Sequence, residues 1–278
     1  MDRKYLLVLV VALAFAAPTL DPSAASAWAP AGQATVHPGV QVVTQGAQCT
    51  SNFVFQDGSS TYLGQAAHCS GTGAATDTDG CHSASLPVGT PVAIDGAGQP
   101  GTMVYNSWLS MQASGETDAE TCAYNDLALI RIDPADVPKT NPSVPGFGGP
   151  TGVGSWGGAG STVYTYGNSS LRGGVTTLSP KQGAVVQSSA GGWSHDVYTA
   201  SPGIPGDSGS GFLNASGGAI GVLSTVQLAP LAGSNGVGTL GNELAYARAH
   251  GFSGLQLVPG TEPFNANTVG AVLRGLGL

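Results

Sequence analysis

Short runs of apolar and β-branched residues, each closed within a few positions by glycine, proline or an Asx turn, recur from residue 39 to residue 226. Residues 48–55, 61–65, 91–95, 102–109 and 127–132 read as strands, and so do 161–166, 174–178, 183–188, 196–200, 211–213 and 219–226. Strands at this spacing argue for an all-β barrel or sandwich. The 44 glycines and 18 prolines supply the turns, glycine by reaching positive φ and proline by fixing φ. Residues 242–250 carry the convincing helical pattern, with Leu244, Ala245 and Ala249 near helical spacing and Gly251 as a stop. A short second helix is expected at 267–276.

The chain divides near its middle. Pro134, Pro138, Pro142, Pro145 and Pro150 crowd one stretch, and residues 146–160 then become a glycine-rich linker. One half is expected at 39–145 and the other at 161–251, with a flexible segment at 28–38 and a tail at 252–278. A glycine pattern in the linker, from Gly152 to Gly157, matches G-x-G-x-x-G. It lies after a proline-rich loop and before a β-type segment, the wrong context for a dinucleotide site. No cofactor is expected.

Residues 1–27 read as a secretory signal. Arg3 and Lys4 begin it, an apolar run follows, and Ala25-Ser26-Ala27 offers a cleavage site. That apolar run is about 13 residues, against the roughly 20 a membrane span needs. Secretion to the extracellular space is the expectation, with no membrane partner. The net charge of −8 and the absence of a Lys/Arg cluster argue against nucleic acid. Four cysteines in an exported chain imply two disulfides. Three pairings are possible, and Cys49–Cys69 with Cys81–Cys122 is favoured. No C-x-x-C pair suggests zinc. Asp77, Asp79, Glu116, Asp118 and Glu120 lack the spacing of an EF-hand and read as solvated, so no metal is expected.

Three short motifs carry chemistry: Ala66-Ala67-His68-Cys69, Asn125-Asp126-Leu127-Ala128-Leu129 and Gly206-Asp207-Ser208-Gly209. A serine hydroxyl needs a neighbouring base to take its proton, and that base needs a third group to fix its tautomer. Amide hydrolysis also needs donors for the oxyanion. Glycines around Ser208 allow a sharp turn whose N–H groups converge. Asp126 heads an apolar strand, where a carboxylate is costly unless hydrogen-bonded. Orienting an imidazole would satisfy it.

On these motifs and their order, the chain resembles the trypsin/chymotrypsin-like serine proteases, specifically the secreted bacterial branch, over residues 39–251. The resemblance implies two six-stranded antiparallel β-barrels with a C-terminal helix and a site in the cleft between the barrels. It implies a serine endopeptidase in which His68 is the general base, Asp126 orients it and Ser208 carries the acyl group. Gly206 and Ser208 N–H would form the oxyanion hole, and Cys49–Cys69 would be the histidine-loop disulfide. Ser224, Thr225 and Val226 would lie beside substrate, and Pro202 and Gly203 at the primary pocket. Pro202 stands where trypsin-like members have aspartate, so a basic side chain finds no partner there. Val226 narrows the pocket, which points to small or medium apolar side chains. The family usually has glycine where Ser210 stands. Animal members pair the aspartate before the nucleophile with a new N-terminus, and Arg172 is the expected partner of Asp207 here. The expected partners are protein or peptide substrates, and the protein is expected to be a monomer. The alternative from another class is a catalytically silent binding or adhesion module on the same fold.

Overall fold

The computed structural model describes residues 28–74, 77–226 and 232–275. The expected signal, residues 1–27, lies outside them. The N-terminal half contains β1 (Gln41–Thr44), β2 (Ala47–Thr50), β3 (Val54–Asp57), β4 (Ser60–Ala66), β5 (Pro91–Ile94), β6 (Gly101–Asn106) and β7 (Leu127–Arg131). The C-terminal half contains β8 (Thr162–Tyr166), β9 (Pro180–Ser188), β10 (Ser194–Thr199), β11 (Gly211–Asn214), β12 (Ala219–Val226) and β13 (Asn235–Thr239). Strands β8 to β13 close into a six-stranded barrel, in the order β10-β13-β12-β11-β8-β9. Val163, Val185, Val197, Phe212, Ile220, Leu223 and Val237 fill it.

With β14 (Gln256–Leu257), the first half forms an eight-stranded sheet, β14-β3-β4-β7-β6-β5-β1-β2. This extra member comes from the tail, which returns to pair with β3. Leu255 is fully buried as it does so. The first core gathers Phe53, Phe55, Leu63, Met103, Leu127 and Leu129, among others.

Several expected elements are redrawn. The strand expected at 48–55 splits at Asn52, whose side chain takes the N–H of Phe53 at 2.7 Å and turns that ring into the core. The strand expected at 102–109 stops at Asn106. That side chain accepts from Trp108 N–H at 2.9 Å and Leu109 N–H at 3.4 Å, an N-cap that starts α1 (Ser107–Ser114). Asp118 caps α2 (Ala119–Tyr124) in the same way. Residues 174–178 are no strand, since Gly173 and Gly174 both take positive φ and a 3-10 turn follows at Thr176–Leu178. Residues 28–38 are pinned rather than loose: Ala29 N–H donates to Thr140 at 3.0 Å, and Val36 is fully buried. Helices α3 (Leu240–Ala249) and α4 (Thr268–Gly275) stand close to the expected ranges.

Candidate active site

β4 ends at Ala66, and a 3-10 turn at Ala67–Ser70 swings His68 toward the head of β7. Ala67 N–H donates to Asp126 C=O at 3.0 Å, and His68 N–H donates to Asp126 Oδ1 at 2.9 Å. His68 Nδ1 lies 2.6 Å from Asp126 Oδ2, which also accepts from Ser224 Oγ at 2.6 Å. Asp126 is 1% exposed. With Nδ1 committed to a carboxylate, the neutral ring keeps its lone pair on Nε2. Burial alone would depress the imidazole, but the adjacent Asp126 charge and hydrogen bond outweigh it and hold His68 above its ordinary value of 6.5.

Ser208 sits in the turn before β11. Its neighbours Gly206 and Gly209 have φ of +94° and +87°. A Cβ on Gly209 would lie 2.6 Å from Thr50 C=O and 2.7 Å from Ala66 N, so only glycine lets this loop reach the end of β4. Asp207 N–H is spent on Ile204 C=O at 2.8 Å. Gly206 and Ser208 N–H, by contrast, enter no main-chain hydrogen bond among the described residues. The loop is fastened to β2. Thr50 N–H donates to Ser208 C=O at 2.9 Å, and Gly206 C=O accepts from Thr50 Oγ1 at 2.8 Å and Gln48 Nε2 at 3.1 Å. Among the described residues the one side-chain hydrogen bond of His68 goes to Asp126. No hydrogen bond joins Ser208 Oγ to His68 Nε2 among the described residues.

Asp207 is fully buried. Arg172 approaches its two oxygens at 2.5 and 2.6 Å, and Lys181 Nζ reaches Oδ2 at 2.5 Å. Ser169 and Ile204 add N–H groups at 3.0 and 3.1 Å. Burial alone would raise this carboxyl, but the two cations overrule it and hold it below the usual aspartate range. Lys181, itself buried, is pulled below the ordinary lysine value by desolvation, against the pull of Asp207.

Solved structures match this architecture over most of the chain. Protease A of Thermobifida fusca matches at 21% identity with a TM-score of 0.52, covering 81% of this chain and 99% of that one. This is a chymotrypsin-like protease fold. Nocardiopsis protease matches at 18% identity and 0.47, covering 80% and 98%. Cellulomonas bogoriensis chymotrypsin matches at 18% and 0.47, with the same coverage. No protein-family model and no curated protein sequence matches the chain.

Within this protease fold the disulfides are Cys49–Cys69 and Cys81–Cys122. The first ties β2 to the histidine turn. Two clusters of three potential metal ligands occur among the described residues, around His68 and around Asp79. In each, two members are disulfide sulfurs, which cannot serve as thiolates. The acidic residues near α2 have protein partners, Glu120 with Ser189 Oγ at 2.6 Å and Gly191 N–H at 3.2 Å. At the expected pocket, Gly203 N–H donates to Asn235 Oδ1 at 2.9 Å, and Asn235 Nδ2 donates to Thr225 C=O at 3.3 Å. Pro202 C=O accepts from Lys181 Nζ at 3.3 Å. Val226 is 53% exposed. Ser224 turns its hydroxyl to Asp126.

Three residues escape sequence reasoning: Lys181, Asn235 and Glu243. Glu243 left a trace, because it sits three residues after Leu240 and four before Ala247, on the stripe that α3 buries. Lys181 and Asn235 left none, since Lys181 meets Asp207 from 26 residues away and Asn235 meets Gly203 from 32.

Proposed function

We propose that the protein is a secreted serine endopeptidase that cleaves peptide bonds through an acyl-enzyme on Ser208. The observation that carries this reading is the commitment of His68 Nδ1 to buried Asp126, which leaves Nε2 as the basic nitrogen. In the first step Nε2 takes the Ser208 Oγ proton as Oγ attacks the scissile carbonyl carbon. Negative charge collects on the carbonyl oxygen, where Gly206 and Ser208 N–H donate. The C–N bond then breaks, and Nε2–H returns its proton to the leaving amine. Water enters by the reverse sequence, with His68 taking a water proton and then restoring it to Ser208. Asp126 stabilises the transient imidazolium and keeps the tautomer.

Export through residues 1–27 agrees with the two disulfides. The pocket reading follows from Pro202 and Val226. With no carboxylate at Pro202, the S1 side chain is small or medium and apolar rather than basic.

Fluorophosphonate labelling of the secreted protein, with peptide mapping, tests this directly. Label is expected on Ser208 and absent from Ser208→Ala, together with cleavage of an apolar peptide library. Folded protein that takes no label would instead favour a binding module on the protease fold.

A further inference from the structure

Behind the carboxylate that holds His68 lies a second acid. Glu243 on α3 is fully buried, and its Oε1 accepts the main-chain N–H of Asp126 at 3.2 Å. Its Oε2 has no hydrogen-bond partner among the described residues. The two acids differ sharply in surroundings. Asp126 oxygens accept three donors, from His68 N, His68 Nδ1 and Ser224 Oγ. Glu243 accepts one. The cations buried in the C-terminal half are spent on Asp207, and no ion pair joins Glu243 to any described residue. The titratable groups that act on it from packed elements are Asp126 at the head of β7 and Tyr105 on β6. Tyr124 of α2 comes near as well, since a Cβ on Gly238 of β13 would lie 2.6 Å from its C=O and 2.8 Å from Glu243 Oε1. None of these is a cation.

Two buried carboxyls this close divide the roles by environment: the better-solvated one takes the charge and the other the proton. Three donors assign the charge to Asp126. Burial first, and the Asp126 charge second, push Glu243 well above the usual carboxyl range.

We propose that Glu243 is a positioning residue of the site, a carboxyl held protonated behind Asp126 that gives the Asp126 N–H a neutral acceptor and leaves Asp126 the sole anion facing His68. The inference rests on the hydrolytic reading above only in assigning importance to the His68–Asp126 pair. The proton state is a property of the fold. A plain ionised glutamate would put a second charge behind Asp126 and draw the His68 proton back onto the ring. A purely apolar residue would strand the Asp126 N–H, which costs free energy in a buried site.

The test compares wild type with Glu243→Gln and Glu243→Met in the full mature chain. The first readout is unfolding by urea from pH 4.5 to 8. A group protonated in the fold and ionised when unfolded lowers the folded-to-unfolded ratio about tenfold per pH unit. The advantage of Glu243→Gln over wild type should therefore grow about tenfold per unit until the buried carboxyl ionises. A pH-independent difference would mean an ionised Glu243 and would overturn the proposal. The second readout is the NMR titration of the His68 ring, expected to coincide in wild type and Glu243→Gln. A clear displacement in Glu243→Gln would overturn the proposal as well. The third is the rate of Ser208 labelling. Glu243→Gln should restore it to within about threefold of wild type, and Glu243→Met should lose about tenfold, as expected for a lost buried hydrogen bond. Equal rates for Gln and Met would reduce Glu243 to a space filler. Should Glu243→Met fail to fold, the first two readouts still decide. Wild type that takes no label but shows the growing stability difference would sink the hydrolytic reading and leave the protonated acceptor standing.

Discussion

Asp126 and Asp207 are both aspartates at 1% exposure or less, yet their surroundings are opposites. Asp207, in the C-terminal half, meets two cations. Asp126, in the N-terminal half, meets a half-buried histidine, a serine hydroxyl, one main-chain N–H and the neighbouring acid Glu243. Permanent cations fix a charge and make the carboxylate a fastener. A histidine leaves it answerable to a proton, because its partner changes charge near neutral pH. One chain thus uses the same buried group to hold a loop still and to orient an imidazole.

The contrast can be broken at either carboxylate. Asp126→Asn should cost about 10⁴ in kcat/KM by admitting the wrong tautomer, with a urea midpoint that changes far less than the activity. Asp207→Asn should do the reverse first. It strands two buried cations, which costs about 3–5 kcal/mol, read as a fall in the urea midpoint at unchanged m-value. An Asp207→Asn protein as stable as wild type would refute the fastener role.

pH sharpens the comparison, because the signs differ. His68 is raised above 6.5, so kcat/KM should climb with pH to a midpoint above that value. At pH 5 it should be more than about thirtyfold below its plateau. In stability, the raised His68 contributes fully below 6.5 and loses that contribution as pH rises through its folded value. Asp207 is depressed below 3.8. Its contribution is present above 3.8 and drains as pH falls through its folded value. Acid should loosen the Ser208 loop while alkali weakens the histidine's hold, a pair of trends that site-resolved hydrogen exchange can separate.

Smaller effects follow from single partners. Ser224→Ala removes one hydrogen bond to a carboxylate, and an interaction of about 1.5–3 kcal/mol lost in the transition state slows kcat/KM by about tenfold or more. Lys181→Met leaves Arg172 and Asp207 as a matched pair. Its stability should stay within about 1 kcal/mol of wild type, measured by urea unfolding. A loss as large as that of Asp207→Asn would mean the lysine, and not the arginine, is the principal counter-charge.

The legible parts of this molecule are those whose chemistry is written locally. The runs around His68, Asp126 and Ser208 each carry their flanks, and the turn glycines at 206 and 209 announce themselves. Arg172 could be suspected because it follows a strand end. The illegible parts depend on closure. The Ser224 hydroxyl gives no sign of its partner until β12 shifts register between Leu223 and Thr225 and brings it to Asp126. Asn106 reads as a strand residue until its side chain caps α1. The return of the tail before α4 is hard to read because β14 contributes only two residues, which no periodicity can reveal.

Strand β2, four residues long, is in effect a gauge block between the two halves. One of its residues is bonded covalently to the histidine's neighbour, and the residues on either side of it grip the carbonyls of Gly206 and Ser208. The His68 turn and the Ser208 loop, base and nucleophile in the proposed mechanism, are thus both fastened to the span from Gln48 to Thr50. A substitution at Gln48 or Thr50 would miss every motif and still alter the spacing on which the proposed chemistry depends.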